Sequence, residues 1–384
     1  MTSGAPSAAA SPEAAIDPPI PEPDRREMAE RIATLQAELV EARERLTLLS
    51  EALAEIEQNP FWRATAPLRR LAAVLPAPVR RGLLGMARGI YWGLTPHRMP
   101  GRLRWIRYEP VLRAAVRRLE QRSAAAYQPL GPPLRLSYGT SAVERLDVFS
   151  PAGPKAPIFL FVHGGAWREG EAGNYAFAAE MFVAAGAHYA TLDFVNVREA
   201  GGDPRLMAEQ VRRGIAWLYR HAEGFGGDPE RLYVGGHSSG AHLCAVALTT
   251  DWQGQFGVPG DIVKGAVLMS GVYDMGPVRR SGSNPYLRFT NEIEDAMSPI
   301  RHPERLNAPV VITYGSGDTP EFRRQSQGLF AVLRQAGKPV ELVEGAGLGH
   351  MEMLESLADP AGINGRAVLG MMGLRASPAV RAAP

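Results

Sequence analysis

The chain has 384 residues, 45% of them apolar, enough to bury a sizeable core in one large domain with attachments or in two domains. A single cysteine, Cys244, excludes an intrachain disulfide framework and suits a reducing compartment. The net charge of +2 conceals an imbalance: ten arginines and no acidic residue lie between Asn59 and Tyr108, so the rest of the chain carries −8.

Residues 1–24 are rich in Pro, Ala and Ser and are expected to be disordered. They show neither a basic start nor an apolar core, so no signal peptide is expected, and no long uncharged apolar run suggests a membrane span. The expected location is the cytoplasm, with peripheral contact at the inner membrane face as the variant. Met28, Ile32, Leu35, Leu39, Ala42, Leu46, Leu49, Leu53 and Ile56 then alternate in steps of four and three. This heptad seam predicts a coiled-coil helix over 25–58, capped by Asp24 and stopped at Asn59-Pro60, that joins copies of the chain, preferably as a dimer. The alternative is an amphipathic helix packed on the main domain, which the strict 3.5-residue period favours less.

Residues 59–128 read as a basic linker containing aromatic residues. Within it Val79, Leu83, Met86 and Ile90 share a helical face opposite Arg81 and Arg88, a pattern suited to an anionic membrane surface over 59–108. A solvated linker is the competing reading, because Gly82, Gly85 and Gly89 weaken the helix. No nucleic-acid motif accompanies the arginines. The stretch "NPFWRATAPLRRL" is similar to a linker in bacterial enzymes that build surface polysaccharides.

From 129 to 374 the runs "PIFLFVHGG", "HYATLDFV", "RLYVGG", "KGAVLMSGVYD", "PVVITYGSGD" and "PVELVEGAG" alternate with helical patterns such as "PRLMAEQVRRGIAWLYRHAEGFGG". Continuous apolarity predicts strands buried on both faces, hence an α/β domain with a mostly parallel sheet. Residues 375–384 read as a disordered tail.

Gly236-His237-Ser238-Ser239-Gly240 fits G-x-S-x-G between a predicted strand and a predicted helix, the setting of a nucleophile elbow. In that register Ser238 is the candidate nucleophile, and Ser239 contributes its backbone N–H. His163-Gly164-Gly165-Ala166-Trp167 ends an earlier strand, where glycine N–H groups can meet a developing oxyanion. Trp167 is the candidate substrate contact. Asp318 follows a later strand and His350 the last, which gives the order Ser, Asp, His of an α/β-hydrolase. His242 is expected to pack on the next helix, His237 to point away from the site, and Cys244 to be a buried small apolar residue; Asp274 is the reserve acid. No cluster has metal-ligand spacing, so neither metal nor other cofactor is implied.

"HGGAWREG" at 163–170, "AEQVRRGIAWLYRHAEGFGGDPERLYVGGHSSGAHL" at 208–243, "SGVYD", "SPI", "DTPEFRRQS" and "GHMEMLESLADP" together resemble α/β-hydrolases of the arylformamidase (kynurenine formamidase) type, near the hormone-sensitive-lipase-like esterases. The resemblance covers about 245 residues, none before Pro129. It implies Ser238, Asp318 and His350 as triad and Gly164, Gly165 and Ser239 as oxyanion hole. Ala166 stands where similar enzymes often place an aromatic residue, which would enlarge the acyl pocket, and Ser239 where alanine is common. Three functions follow as expectations. The first is a serine hydrolase of a small carboxylic ester or formamide. The second is a membrane-associated acyl (acetyl) esterase of a sugar or polysaccharide precursor. The third is a non-catalytic oligomeric scaffold.

Overall fold

The computed structural model describes residues 109–281 and 286–375. The segments expected to be disordered (1–24), coiled coil (25–58) and basic (59–108), and residues 376–384 of the tail, lie outside them. Eight strands form one sheet: β1 (Leu134–Ser137), β2 (Arg145–Phe149), β3 (Ala156–Val162), β4 (His188–Leu192), β5 (Gly227–His237), β6 (Gly265–Met269), β7 (Val310–Gly315) and β8 (Val340–Gly345). Their order is β1-β2-β4-β3-β5-β6-β7-β8. β1 and β2 pair antiparallel with their neighbours, and from β4 to β8 every pairing is parallel. This is the α/β-hydrolase arrangement.

The longer helices, in chain order, are α1 (Glu109–Leu130), α2 (Arg205–His221), α3 (Ser239–Ala247), α4 (Pro320–Gln335) and α5 (Ile363–Met371). All seven residues of β3 are buried, as its unbroken apolar run requires when both sheet faces are covered. Its pleat sorts them. Ile158, Leu160 and Val162 join Leu232, Val234, Leu268 and Ile312 under α2 and α3, into which Met207, Val211, Ile215 and Leu218 pack from α2. Those four recur at helical spacing, so α2 buries one stripe. Phe159 and Phe161 join Tyr189, Val267 and Met269 on the opposite face, covered by α1 and α5.

Helix α1 moves the start of the packed domain, because residues 109–128, expected as linker, are its main part. Ala115, Leu119, Ser123 and Ala126 are buried along one face. The Ser123 hydroxyl donates to the Asn174 carbonyl (2.8 Å) and accepts the Phe177 N–H (3.1 Å), fastening α1 to the domain. Its apolar stripe holds mostly small residues, which left the charged face to dominate the sequence pattern. No described helix is long and apolar enough to cross a membrane.

Candidate active site

The parallel strands point their carboxyl ends at one edge of the sheet, where ligands of such sheets bind. β5 runs into α3 through Ser238, whose backbone is held at φ 57°, ψ −121°. That conformation is costly for a residue with a Cβ, by about 1–3 kcal/mol. The neighbouring glycines make the turn possible. A Cβ on Gly236 would meet the Gly240 carbonyl carbon at 2.6 Å, and one on Gly240 would meet the Val162 carbonyl oxygen at 2.1 Å. The turn is tied to β6 by the Ser238 N–H, which donates to the Met269 carbonyl (2.9 Å). As residues of the first turn of α3, Ser239 and its followers have N–H groups with no carbonyl inside the helix to bond.

His350, half-buried, donates its Nδ1–H to Asp318 Oδ1 at 2.8 Å. A carboxylate partner can only accept, so the proton sits on Nδ1 and the neutral ring presents Nε2 as its base. Asp318 is buried, and its Oδ2 accepts the Ser270 hydroxyl (2.6 Å) and the Gly315 N–H (2.9 Å). Burial alone would raise its pKa; the bond and charge of His350, then Ser270 and Gly315, outweigh burial and hold the carboxyl below its ordinary value. Phe322 stacks on His350 with ring centroids 4.3 Å apart. The His237 imidazole also lies against it, with ring centroids 4.4 Å apart. His237 directly precedes Ser238, so the imidazole pair brings the Asp318–His350 unit to the serine turn.

The glycine-rich loop after β3 passes against the same turn. A Cβ on Gly164 would lie 3.3 Å from the Ser238 Cβ, and one on Gly165, at φ 111°, would run into the Glu169 carbonyl oxygen at 2.1 Å. Only glycine fits either place. A cavity beside this loop is walled by Gly164, Ser239, Trp167, His163, Phe194 and Met207 among others. Ala166, at φ 53°, is not one of its walls. Trp167 does line it, but the tryptophan N–H groups are committed within the protein. The backbone N–H donates to Ser239 Oγ (3.2 Å) and the indole N–H to His242 Nδ1 (3.0 Å). Trp167 is 5% exposed, so the structure places it as a buried support of the loop.

His242 is a buried packing residue, as expected, and also a relay. Its Nε2–H donates to the Met297 carbonyl (2.8 Å), and burial lowers its pKa to about 4. Cys244 is buried on α3, and burial raises its thiol pKa. Asp274 faces Arg301 at 3.6 Å instead of a histidine. The expectation for His237 is corrected: its side chain does not point away but lies on His350. Strand alternation predicts only the side of the sheet, not which loop folds over the strand's end. Sequence reasoning also passed over Ser270 and the Ser239 hydroxyl. "SGVYD" contained the first, and serine in place of alanine marked the second.

A fold of this kind with such a site defines a hydrolase class, and the relatives agree. The BD-FAE family model matches residues 146–278. The kynurenine formamidase of Danio rerio is 32% identical over 275 residues, covering 69% of this chain and 90% of that protein. The isoprenylcysteine alpha-carbonyl methylesterase of Arabidopsis thaliana is 26% identical over 249 residues, 58% of this chain and 57% of that protein. Among solved structures, the hyperthermophilic esterase of the archaeon Pyrobaculum calidifontis shares the fold with a TM-score of 0.56 at 16% identity, over 69% of this chain and 92% of its own. The chain belongs to the esterase/formamidase group of α/β-hydrolases that includes kynurenine formamidase. It is a hydrolase of the esterase and formamidase type.

Proposed function

We propose that the protein is a serine hydrolase that cleaves a small carboxylic ester or formamide through an acyl-enzyme on Ser238. His350 Nε2 takes the Ser238 hydroxyl proton as Oγ attacks the substrate carbonyl carbon, and Asp318 fixes the tautomer and offsets the charge of the imidazolium. The tetrahedral oxyanion is met by the N–H groups of Gly164, Gly165 and Ser239, fixed in place before the reaction. His350 then gives its proton to the departing alkoxide or amine. Water, deprotonated by His350 in turn, attacks the acyl carbon and frees Ser238. The observation that carries this reading is the Asp318–His350 pair, bonded at 2.8 Å and set against the residue that precedes a strained serine.

The test is Ser238→Ala, with kcat/KM measured on N-formylkynurenine and on a short-chain aryl ester. The expected loss on the better substrate is at least about a thousandfold with the fold intact. Turnover at the wild-type rate would remove Ser238 from the mechanism. Serine-dependent preference for the formamide makes the protein an arylformamidase; preference for the ester makes it an esterase of the same group.

A further inference from the structure

The variable position before the nucleophile holds His237, and nothing in a G-x-S-x-G pattern constrains what stands there. Here its side chain is 3% exposed, and its Nε2–H donates to the main-chain carbonyl of His350 at 2.9 Å. A carbonyl accepts only, so the tautomer is fixed with the proton on Nε2. The opposite edge of the ring faces the start of the glycine-rich loop: a Cβ on Gly164 would come within 3.6 Å of His237 Nδ1 and 2.8 Å of its carbonyl oxygen. One imidazole thus touches the segments that carry the candidate base and the oxyanion donors, and its own backbone leads into Ser238.

We propose that His237 is a positioning residue that ties the nucleophile turn to the loop carrying the general base, by its hydrogen bond to the His350 carbonyl. This rests on the reading of Ser238 as nucleophile and His350 as base. His350 opens the short helix His350–Glu355, and the turn before it is bound to the loop of Asp318 by the Gly317 N–H on the Leu348 carbonyl (2.8 Å); these bonds join base to acid, and the His237 bond joins the base to the strand of the nucleophile. The His237 bond fixes the main chain at His350 to the strand end from which Ser238 projects, so the Ser238 Oγ to His350 Nε2 approach is set from both sides. The groups facing His350 are Asp318 from the loop after β7, Phe322 from α4 and His237 from β5. Burial, and then the charge of His350, keep the His237 pKa down to about 3, so His237 stays neutral when His350 takes up the serine proton.

Three variants test this. His237→Phe keeps a ring without the donor, His237→Asn keeps an amide too short to reach the carbonyl, and His237→Gln places an amide N–H close to where Nε2 lies. Each is compared with wild type and Ser238→Ala for kcat and KM separately, after circular dichroism shows which are folded. Misplacing reacting groups by about 1 Å costs about a hundredfold. The expected result is a fall in kcat of about 10- to 100-fold for Phe and Asn with KM little changed, and recovery to within about threefold for Gln. A folded Phe or Asn variant with wild-type kcat overturns the proposal, and so does a Gln variant as damaged as Phe. Failure of the underlying reading looks different: Ser238→Ala would then turn over at the wild-type rate, whatever the His237 variants do.

Discussion

Asp318 shows how much of the site rests on a residue that does no chemistry. Its Oδ1 is taken by His350, and its Oδ2 is held by Gly315 and by the hydroxyl of Ser270, itself completely buried at φ 47°. A serine kept in a left-handed conformation at the end of β6 is maintained against strain by its surroundings, including its own N–H bond to the Thr313 carbonyl (2.8 Å). A hydrogen bond to a charged group contributes about 1.5–3 kcal/mol, and part of that is expressed as the imidazolium forms beside Asp318. Ser270→Ala is therefore expected to lower kcat by about 3- to 30-fold with KM unchanged. Stopped-flow or steady-state assays on the better substrate read this directly; a Ser270→Ala enzyme with unaltered kcat would show that Gly315 alone orients the carboxylate. The motif "SGVYD" contained Ser270, but nothing in the sequence joined it to Asp318. It lies 48 positions from Asp318, and only the β6–β7 pairing brings them together.

At the scale of elements, the glycine-rich loop depends on α3. Trp167 reaches Ser239 and His242, Val197 N–H donates to the Trp167 carbonyl (2.8 Å), and His242 carries the connection on to Met297, which ends the short helix Asn291–Ala296. Replacing His242 by leucine leaves the indole N–H and the Met297 carbonyl buried without partners, each costing about 1–3 kcal/mol. His242→Leu is expected to lose about 2–4 kcal/mol in urea unfolding and about tenfold in kcat, since the proposed oxyanion donors sit on the loosened loop. Stability within experimental error of wild type, together with full activity, would sever this link. The elements themselves were unequally legible. β3 to β7 announced themselves by continuous apolar runs, because both faces are covered there, whereas β8, "VELVEG", is a partly exposed edge strand. β1 and β2, "LRLS" and "RLDVF", carry charges that are used in pairing: Arg135 stands directly across from Asp147, bonds it at 2.9 Å, and also reaches Asp193. A short polar strand at an edge looks like a loop until its partner is known. Ser238 and Asp318 were legible for the opposite reason, since each lies next to a strand that advertised itself.

Taken whole, the described molecule gathers its candidate chemistry at one edge of the sheet and stores uncharged histidines inside. His237 and His242 have pKa values lowered by burial to about 3 and about 4, and burial likewise lowers those of His163 and His188. His163 illustrates the cause: it lies between the rings of Phe194 and Tyr175, at 4.3 and 5.3 Å, where a positive charge would lose its water. A histidine depressed in the folded state takes up its proton only on unfolding, once the pH is below its ordinary value near 6.5. Its stabilising contribution is thus complete above about pH 6.5 and is lost as the pH falls from there toward the folded value. Asp318, lowered from the carboxylate range, adds loss of the same sign at lower pH. Each proton taken up contributes a slope of about 1.4 kcal/mol per pH unit. With at least His237 and His242 participating, the unfolding free energy is expected to be nearly level from pH 8 to 7 and to drop by about 2–3 kcal/mol per unit below about pH 5.5. Urea titrations at half-unit steps between pH 8 and 5 measure this. His242→Leu should remove about one proton from the slope as well as lowering the plateau, because the group that must charge on unfolding is gone. A wild-type curve that stays level down to pH 5 would mean that these histidines are already protonated in the folded protein. The acceptor role of His242 Nδ1 toward the Trp167 indole N–H, which needs a neutral ring, would then be wrong, whereas the His237 Nε2–H bond to the His350 carbonyl would survive.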